Sequence, residues 1–268
     1  SLGNGILVKN GTATIKGGTF TGNDPTNSYG QRLDIAGAAA YYGFKMYGGT
    51  ATVESGTFGG NGSGAFVMGT SASETGTANI KGGTFSVSGQ AGFSVYKYGE
   101  VTFGESGVTS SISVKGDAAG LVIESTSEGA PTVTIHSGTY ESIRDSNGDG
   151  IWNGNGNAVL TITGGTFIGS TRAGLMLDFD NSAPNVTITG GTFKCSNSSG
   201  NSSGISAKAT IKVRHIIREG INVYDASGGS NRLITIDDES EIYSSTSWYG
   251  QKYYYFVGSF RQTLVVGA

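Results

Sequence analysis

The sequence predicts an all-β fold: a parallel β-solenoid of about nine to ten coils, wound as a three-sided β-helix. Three observations predict it. An octet recurs: ATIKGGTF at 13, ATVESGTF at 51, ANIKGGTF at 78, VTIHSGTY at 133, LTITGGTF at 160 and VTITGGTF at 186. Between copies stands a second element, GILV at 5, GFKM at 43, GFSV at 92, GLVI at 120, GLML at 174 and GINV at 220. An aromatic or apolar anchor follows each corner, and most intervals between successive anchors fall between 23 and 32 residues, a period of stacked repeat units.

In VTITGGTF, Val186 and Ile188 alternate with Thr187 and Thr189, a period of two that marks a strand with one buried face. Gly190 and Gly191 then supply a corner with positive φ, where a Cβ would clash. Phe193 points inward again and opens a second short strand. The G-[I/L/F]-x-[V/M/L/I] element is the third strand, with GIWN at 150 and GISA at 204 as weaker members. GAFV at 64 fits with a register ambiguous by one residue. A polar bridge of variable length leads into the next octet. Handedness is expected to be right-handed, the general preference of parallel crossovers, and helix is expected to be nearly absent.

One coil cannot bury its apolar face, but stacked coils can. Ile15, Val53, Ile80, Phe103, Ile135, Ile162, Ile188, Ile211 and Ile236 are expected to form one internal stack. Phe20, Phe58, Phe85, Val108, Tyr140, Phe167, Phe193, Ile216 and Ile242 are expected to form another. The chain reads as one domain over 1–268, with a loop insertion at 21–42 and degenerate coils at 209–268. The last residues, through YYYFVGSFRQTLVVGA, read as one further partial coil. Cys195 shares the inward parity of Phe193 and reads as a buried thiol.

Composition narrows the function classes. The chain has 268 residues, 47 of them Gly and three Pro, so it has glycine turns without a collagen period. With 36% hydrophobic residues and a net charge of −3 it is neither a disordered chain nor a basic nucleic-acid binder. No long apolar run offers membrane insertion. One cysteine permits neither an internal disulfide nor a Cys-rich metal site. No cofactor is expected. The sequence opens inside a repeat and reads as a monomeric segment of a larger protein.

Between the inward pair of each octet lies an outward column: Thr14, Thr52, Asn79, Thr102, Thr134, Thr161, Thr187, Thr210 and Thr235. Stacked β-branched hydroxyls suit a pleated ladder. A flat Thr array can also order water as ice-binding surfaces do. The adjoining outward residues Lys16, Glu54, Lys81, Gly104, His136, Thr163 and Thr189 leave only two coils with T-x-T on that side, which argues against it.

Candidates for chemistry are few. Asp178 and Asp180, with Arg172 and Arg144 on nearby coils, could make an acidic–basic patch. KVRHIIREG at 212 gathers Lys212, Arg214, His215, Arg218 and Glu219 in one coil, without the facing carboxylates that glycoside hydrolysis needs. RDSNGDGIWNGNG at 144 places Asp145, Asn147, Asp149 and Asn153 at positions 1, 3, 5 and 9 of a calcium loop. It resembles the loop of EF-hands and dockerins, but position 12 is Gly156, so either an Asx-rich turn or a weak calcium site is expected. On the outward side of the third strand, Tyr47, Tyr96, Trp152, Met176, Asp178 and Tyr224 form a candidate binding face.

The I-x-G-G-T-F repeat, over nearly the whole chain, resembles that of large β-helix surface proteins of gut Firmicutes, adhesin-like and carbohydrate-binding. The resemblance implies an extracellular or cell-surface location and a glycan or surface-protein partner. Three functions stand open: non-catalytic adhesion or binding with the solenoid as spacer and display face, a polysaccharide lyase or glycoside hydrolase on the same fold, and a purely structural stalk.

Overall fold

The computed structural model describes residues 3–22, 41–60, 62–124, 128–144, 148–155, 157–178, 185–188 and 190–196, with backbone alone for Asn185, Lys194 and Cys195. Beyond these it describes the backbone of seven strands: Ser203–Ala207, Ile211–Val213, Ile221–Val223, Arg232–Ile236, Tyr243–Trp248, Gln251–Tyr255 and Gln262–Val266. The fold is the three-sided parallel β-solenoid that the repeats predict. The G-[I/L/F] elements build the first sheet (Ile6–Lys9, Phe44–Tyr47, Ala65–Met68, Ala91–Val95, Ala119–Ile123, Asp149–Asn153, Ala173–Leu177, Ser203–Ala207, Ile221–Val223). The octets' alternating residues build the second, from Thr12–Ile15 to Arg232–Ile236. The Phe-bearing strands build the third, from Thr19–Thr21 to Thr192–Cys195. The third sheet has seven strands, so seven coils are complete among the described residues, fewer than the nine to ten expected.

Ile15, Val53, Ile80, Phe103, Ile135, Ile162 and Ile188 lie on one ladder, and every one is buried. Parallel strands in register stack like on like about 4.8 Å apart. The Phe ladder uses that spacing: ring centroids are 5.3 Å apart for Phe20–Phe58, 4.7 Å for Phe58–Phe85 and 4.7 Å for Phe167–Phe193, all stacked. Each such pair contributes about 0.5–1.5 kcal/mol beyond its burial.

Two members of the expected stacks are corrected. Val108 is not the fourth rung of the Phe ladder; it is 51% exposed, and Val114 pairs with Phe85 and Tyr140 instead. A longer corner, Gly104–Ser111, delays the strand: Phe85 follows Ile80 by five residues, whereas Val114 follows Phe103 by eleven. Ile211 is likewise displaced. Val213 stands opposite Ile188 and Ile236, and Lys212, not Thr210, continues the Thr187 column. Ile216 and Ile242 lie outside the described residues.

Coil four compensates for its missing Phe. Phe93 and Phe103 enter from the other two sheets where neighbouring coils have smaller residues, and the aromatic contact detours through them. Phe85–Phe93, Phe93–Phe103 and Phe103–Tyr140 meet edge-on at 5.1, 5.0 and 5.4 Å. The interior is close-packed, so rung volume is conserved even where the residue order changes.

Glycine serves two separate purposes. Gly191 turns the octet corner at φ +113°, a conformation that L side chains rarely adopt. Gly92, with an ordinary φ, is there because a Cβ would sit 2.8 Å from both the N and O of Lys115 on the third sheet. Gly43, Gly120 and Gly150 meet third-sheet backbone of their own coils in the same way, so glycine there is a packing requirement between faces of one coil.

The final strands do not form a further parallel coil. Gln262–Val266 pairs antiparallel with Arg232–Ile236, Gln251–Tyr255 antiparallel with Ile221–Val223, and Tyr243–Trp248 with Gln251–Tyr255. The pairing direction of both sheets reverses there.

The volume exchange in coil four makes a prediction. Val114→Phe alone should cost about 1–3 kcal/mol by overpacking. Phe103→Ile alone should also destabilise, by leaving a void. The double variant restores the Ile-plus-Phe pattern of the neighbouring coils and should recover most of both losses in urea or thermal melts. Losses that merely add would refute the exchange.

Candidate functional site

Sheet one carries its outward side chains in two columns. Leu7, Lys45, Phe66, Ser94, Val122, Trp152 and Met176 follow one another in register. The second column includes Lys9, Tyr47 and Met68. The ambiguous GAFV resolves as Ala65 inward and Phe66 outward, because Ala65 pairs with Phe44 and Phe93. Phe66 is the residue that sequence reasoning missed. Its signal was an aromatic standing one place late after the glycine, at outward parity.

Around Phe66 the rings form a cluster. Centroids lie 5.1 Å from Tyr42, 6.3 Å from Tyr47 and 6.2 Å from Tyr96. The Lys45 ammonium stands 4.7 Å from the Tyr42 ring, 5.0 Å from Tyr47 and 5.9 Å from Phe66. Cation–π attraction of about 0.5–1 kcal/mol holds it there at a solvent-facing site. Tyr42 is buried, while Tyr47, Phe66 and Tyr96 are half-buried and keep part of their rings open.

Farther along the same face the expected residues are more committed. Trp152 packs on a small cluster of Ala91, Ala119 and Val122, separate from the main core, and its indole N–H donates to Asp178 Oδ2 at 3.3 Å. Met176 points outward in register but is only 3% exposed, so it offers no surface. Tyr224 and Asp180 lie outside the described residues, as do residues 214–220 of the basic coil. The structure thus joins Tyr47 and Tyr96 through Phe66, and joins Trp152 with Asp178.

The calcium-loop residues are divided. Asp145 and Asn147 lie outside the described residues. Asn153 faces inward on the column of Ile123 and Leu177, fully buried; its Oδ1 accepts the Asn155 N–H at 3.0 Å, and its Nδ2 has no partner among the described residues. Asp149 is 1% exposed and takes both of its oxygens to Arg172: Nε donates at 3.0 and 2.9 Å and Nη2 donates to Oδ2. The Ala173 N–H adds 3.1 Å to Oδ1. Arg144 lies 4.0 Å from Asp117. No three His, Cys, Asp or Glu side chains converge on a common point among the described residues.

Burial pushes the Asp149 carboxyl up to about 6, with Arg172 and the Ala173 amide holding it lower than burial alone would. At pH 7 it is ionised and the guanidinium matches its charge.

The second sheet's outer face carries more hydroxyls than the octets' far column suggests. Thr12, Thr50, Thr77 and Thr132 form a column on the near side, giving T-x-T with Thr14, Thr52 and Thr134. Glu100, which accepts from Thr77 Oγ1 at 3.3 Å, and exposed Val159 interrupt it.

No family model matches the sequence, and no curated protein or solved structure matches it.

Arg172→Ala should leave a buried carboxylate without its counter-charge. The expected loss at pH 8 is about 3 kcal/mol, the low end for a buried pair because the guanidinium is partly exposed. The folded protein holds the Asp149 proton up to about pH 6, whereas the unfolded chain releases it near 4. The neutral carboxyl therefore favours the fold at low pH, and that contribution is lost as pH rises through 6. The Arg172→Ala penalty should accordingly shrink at pH 5 in denaturant titrations; a penalty equal at both pH values would contradict this account.

Proposed function

We propose that this chain is a non-catalytic, extracellular or cell-surface segment that binds a glycan or surface protein and serves as spacer and display face. One observation carries the reading: Tyr47, Phe66 and Tyr96 form a connected, partly open aromatic surface around Lys45. An extended sheet face of a solenoid is a natural binding surface. Rings with a polar tip supply large contact area at small entropic cost, and they stack on sugar faces or anchor a protein partner. The interior does not call for these rings, since all the large inward positions of these coils are already filled. Lys45 adds a cation that orients an acidic or hydroxyl-bearing ligand.

The test is binding of the chain to a glycan array and to immobilised epithelial surface proteins. Tyr47→Ala with Tyr96→Ala should lower affinity by about 1–3 kcal/mol, roughly ten- to hundredfold, with an unchanged melting temperature. Undiminished binding would remove this face. A chain that binds nothing on either panel would favour the stalk reading, and turnover of a polysaccharide would favour the enzyme.

A further inference from the structure

In six of the seven complete coils the octet corner sets its two flanking inward residues five apart; in coil four, where Gly104–Ser111 forms the corner, they are eleven apart. This longer corner stands out from the solenoid as a ridge, and both of its flanks are fastened. Lys81, one coil before, reaches Glu105 at 2.7 Å, and Ser137, one coil after, donates to Ser110 Oγ at 2.7 Å. A turn closed by the Val108 N–H on the Glu105 carbonyl at 3.0 Å, with Gly107 at φ +75°, shapes its crest. A hollow opens on each side, one of about 480 Å³ and one of about 530 Å³. Ser106 and His136 line both.

The larger set of hydroxyls surrounds the hollow toward coils five and six, where Thr109, Ser110, Ser137, Thr139, Thr163 and Thr166 join His136 over a floor containing Gly138 and Gly165. His136 Nδ1 lies 2.7 Å from Thr163 Oγ1. The same hydroxyl also lies 3.4 Å from the Ile135 carbonyl, so the imidazole is anchored to the wall of the hollow through Nδ1. Nε2 is the ring nitrogen that this contact leaves for a ligand.

We propose that this corner is a binding site for a neutral saccharide unit, with His136 at its centre. The lining decides the ligand class. Hydroxyls donate and accept in turn, and an imidazole nitrogen does one or the other; sugar hydroxyls match either. An anion would find no Lys or Arg in the lining of this hollow, and Lys81 of the neighbouring hollow is already paired with Glu105. An apolar ligand would find only Val108 and bare glycine backbone. The glycine floor lets the flat face of a pyranose approach closely, and the volume is within the range of small-ligand pockets. The site is on a different face from the Tyr47–Tyr96 surface and does not depend on it.

The experiment is a ¹⁵N-correlated NMR titration of the whole chain with glucose, galactose, mannose, N-acetylglucosamine and their disaccharides, up to roughly tens of millimolar, with sodium sulfate as a separate arm. Amide shifts should concentrate at residues 106–110, 136–139 and 163–166. His136→Ala should weaken the response by about tenfold or more while the remaining spectrum stays unchanged. Thr163→Val, which removes the ring's anchoring contact but keeps the imidazole, should weaken it less. Absence of shifts with every sugar, shifts that persist undiminished in His136→Ala, or a sulfate response at the same amides would each overturn the proposal. Shifts confined to Tyr47, Phe66 and Tyr96 would overturn it too, while leaving the aromatic face intact.

Discussion

In-register parallel stacking is the interaction on which everything else rests. Each inward side chain lies on its counterpart about 4.8 Å away. A residue is therefore judged by the coils above and below it and by the other two faces of its own coil. Where coil four has Val114 instead of Phe, the same coil supplies Phe93 and Phe103. Where coil three has Ala65, Phe44 and Phe93 flank it in the column. Stability is then a sum of neighbouring coil contacts, and a local irregularity is absorbed locally.

Coil six shows how far that tolerance goes. It places Asn153 on an inward column that elsewhere holds Ile and Leu, and Asp149 on the buried column of Ala119 and Ala173 at the head of the strand. Asp149 is matched by Arg172 from the next coil. Among the described residues Asn153 is met only on its oxygen, and an amide nitrogen so buried without a partner costs about 1–3 kcal/mol. The return is a shaped turn: Asn153 Oδ1 accepts the Asn155 N–H, Asn155 Oδ1 accepts the Asn157 N–H at 3.0 Å, and Asn155 Nδ2 reaches the Glu124 carbonyl at 3.1 Å. The Asx-rich segment that looks like a calcium loop is, in its described part, a chain of backbone-capping side chains.

Period-two alternation and the GGTF corner made the fold class legible before any coordinates, because both follow from local backbone chemistry. Register across a variable loop did not follow. Val108 and Val114 both satisfy the alternation, and only the partner strands Gly83–Ser86 and Thr139–Ser142 choose between them. Ile211 and Val213 differ by two residues, a shift that preserves parity and so leaves no trace in the pattern. The antiparallel return of Gln262–Val266 keeps the same alternation as a parallel strand would. At the candidate surface, Tyr47, Tyr96 and Trp152 were readable as outward by parity. Phe66 needed the neighbours of Ala65 to place it, and the burial of Met176 could not be read from parity at all.

The flanking of Ala65 bears on function as well as packing. Phe44 and Phe93 fill the interior at that rung, which explains why the inward residue is small. Nothing in that constraint requires the outward neighbour to be large. Serine, valine and methionine occupy the same outward column elsewhere. Yet Phe66 is there, drawing Tyr42, Tyr47 and Tyr96 into contact and holding Lys45 among them. The Gly104–Ser111 ridge has the same status, since a corner of two or three residues between strands closes every other complete coil without it. Both departures fall in coils two to four, and neither improves the core. In a molecule whose interior dictates so much of its sequence, the features that the interior does not dictate are where selection for recognition would leave its mark.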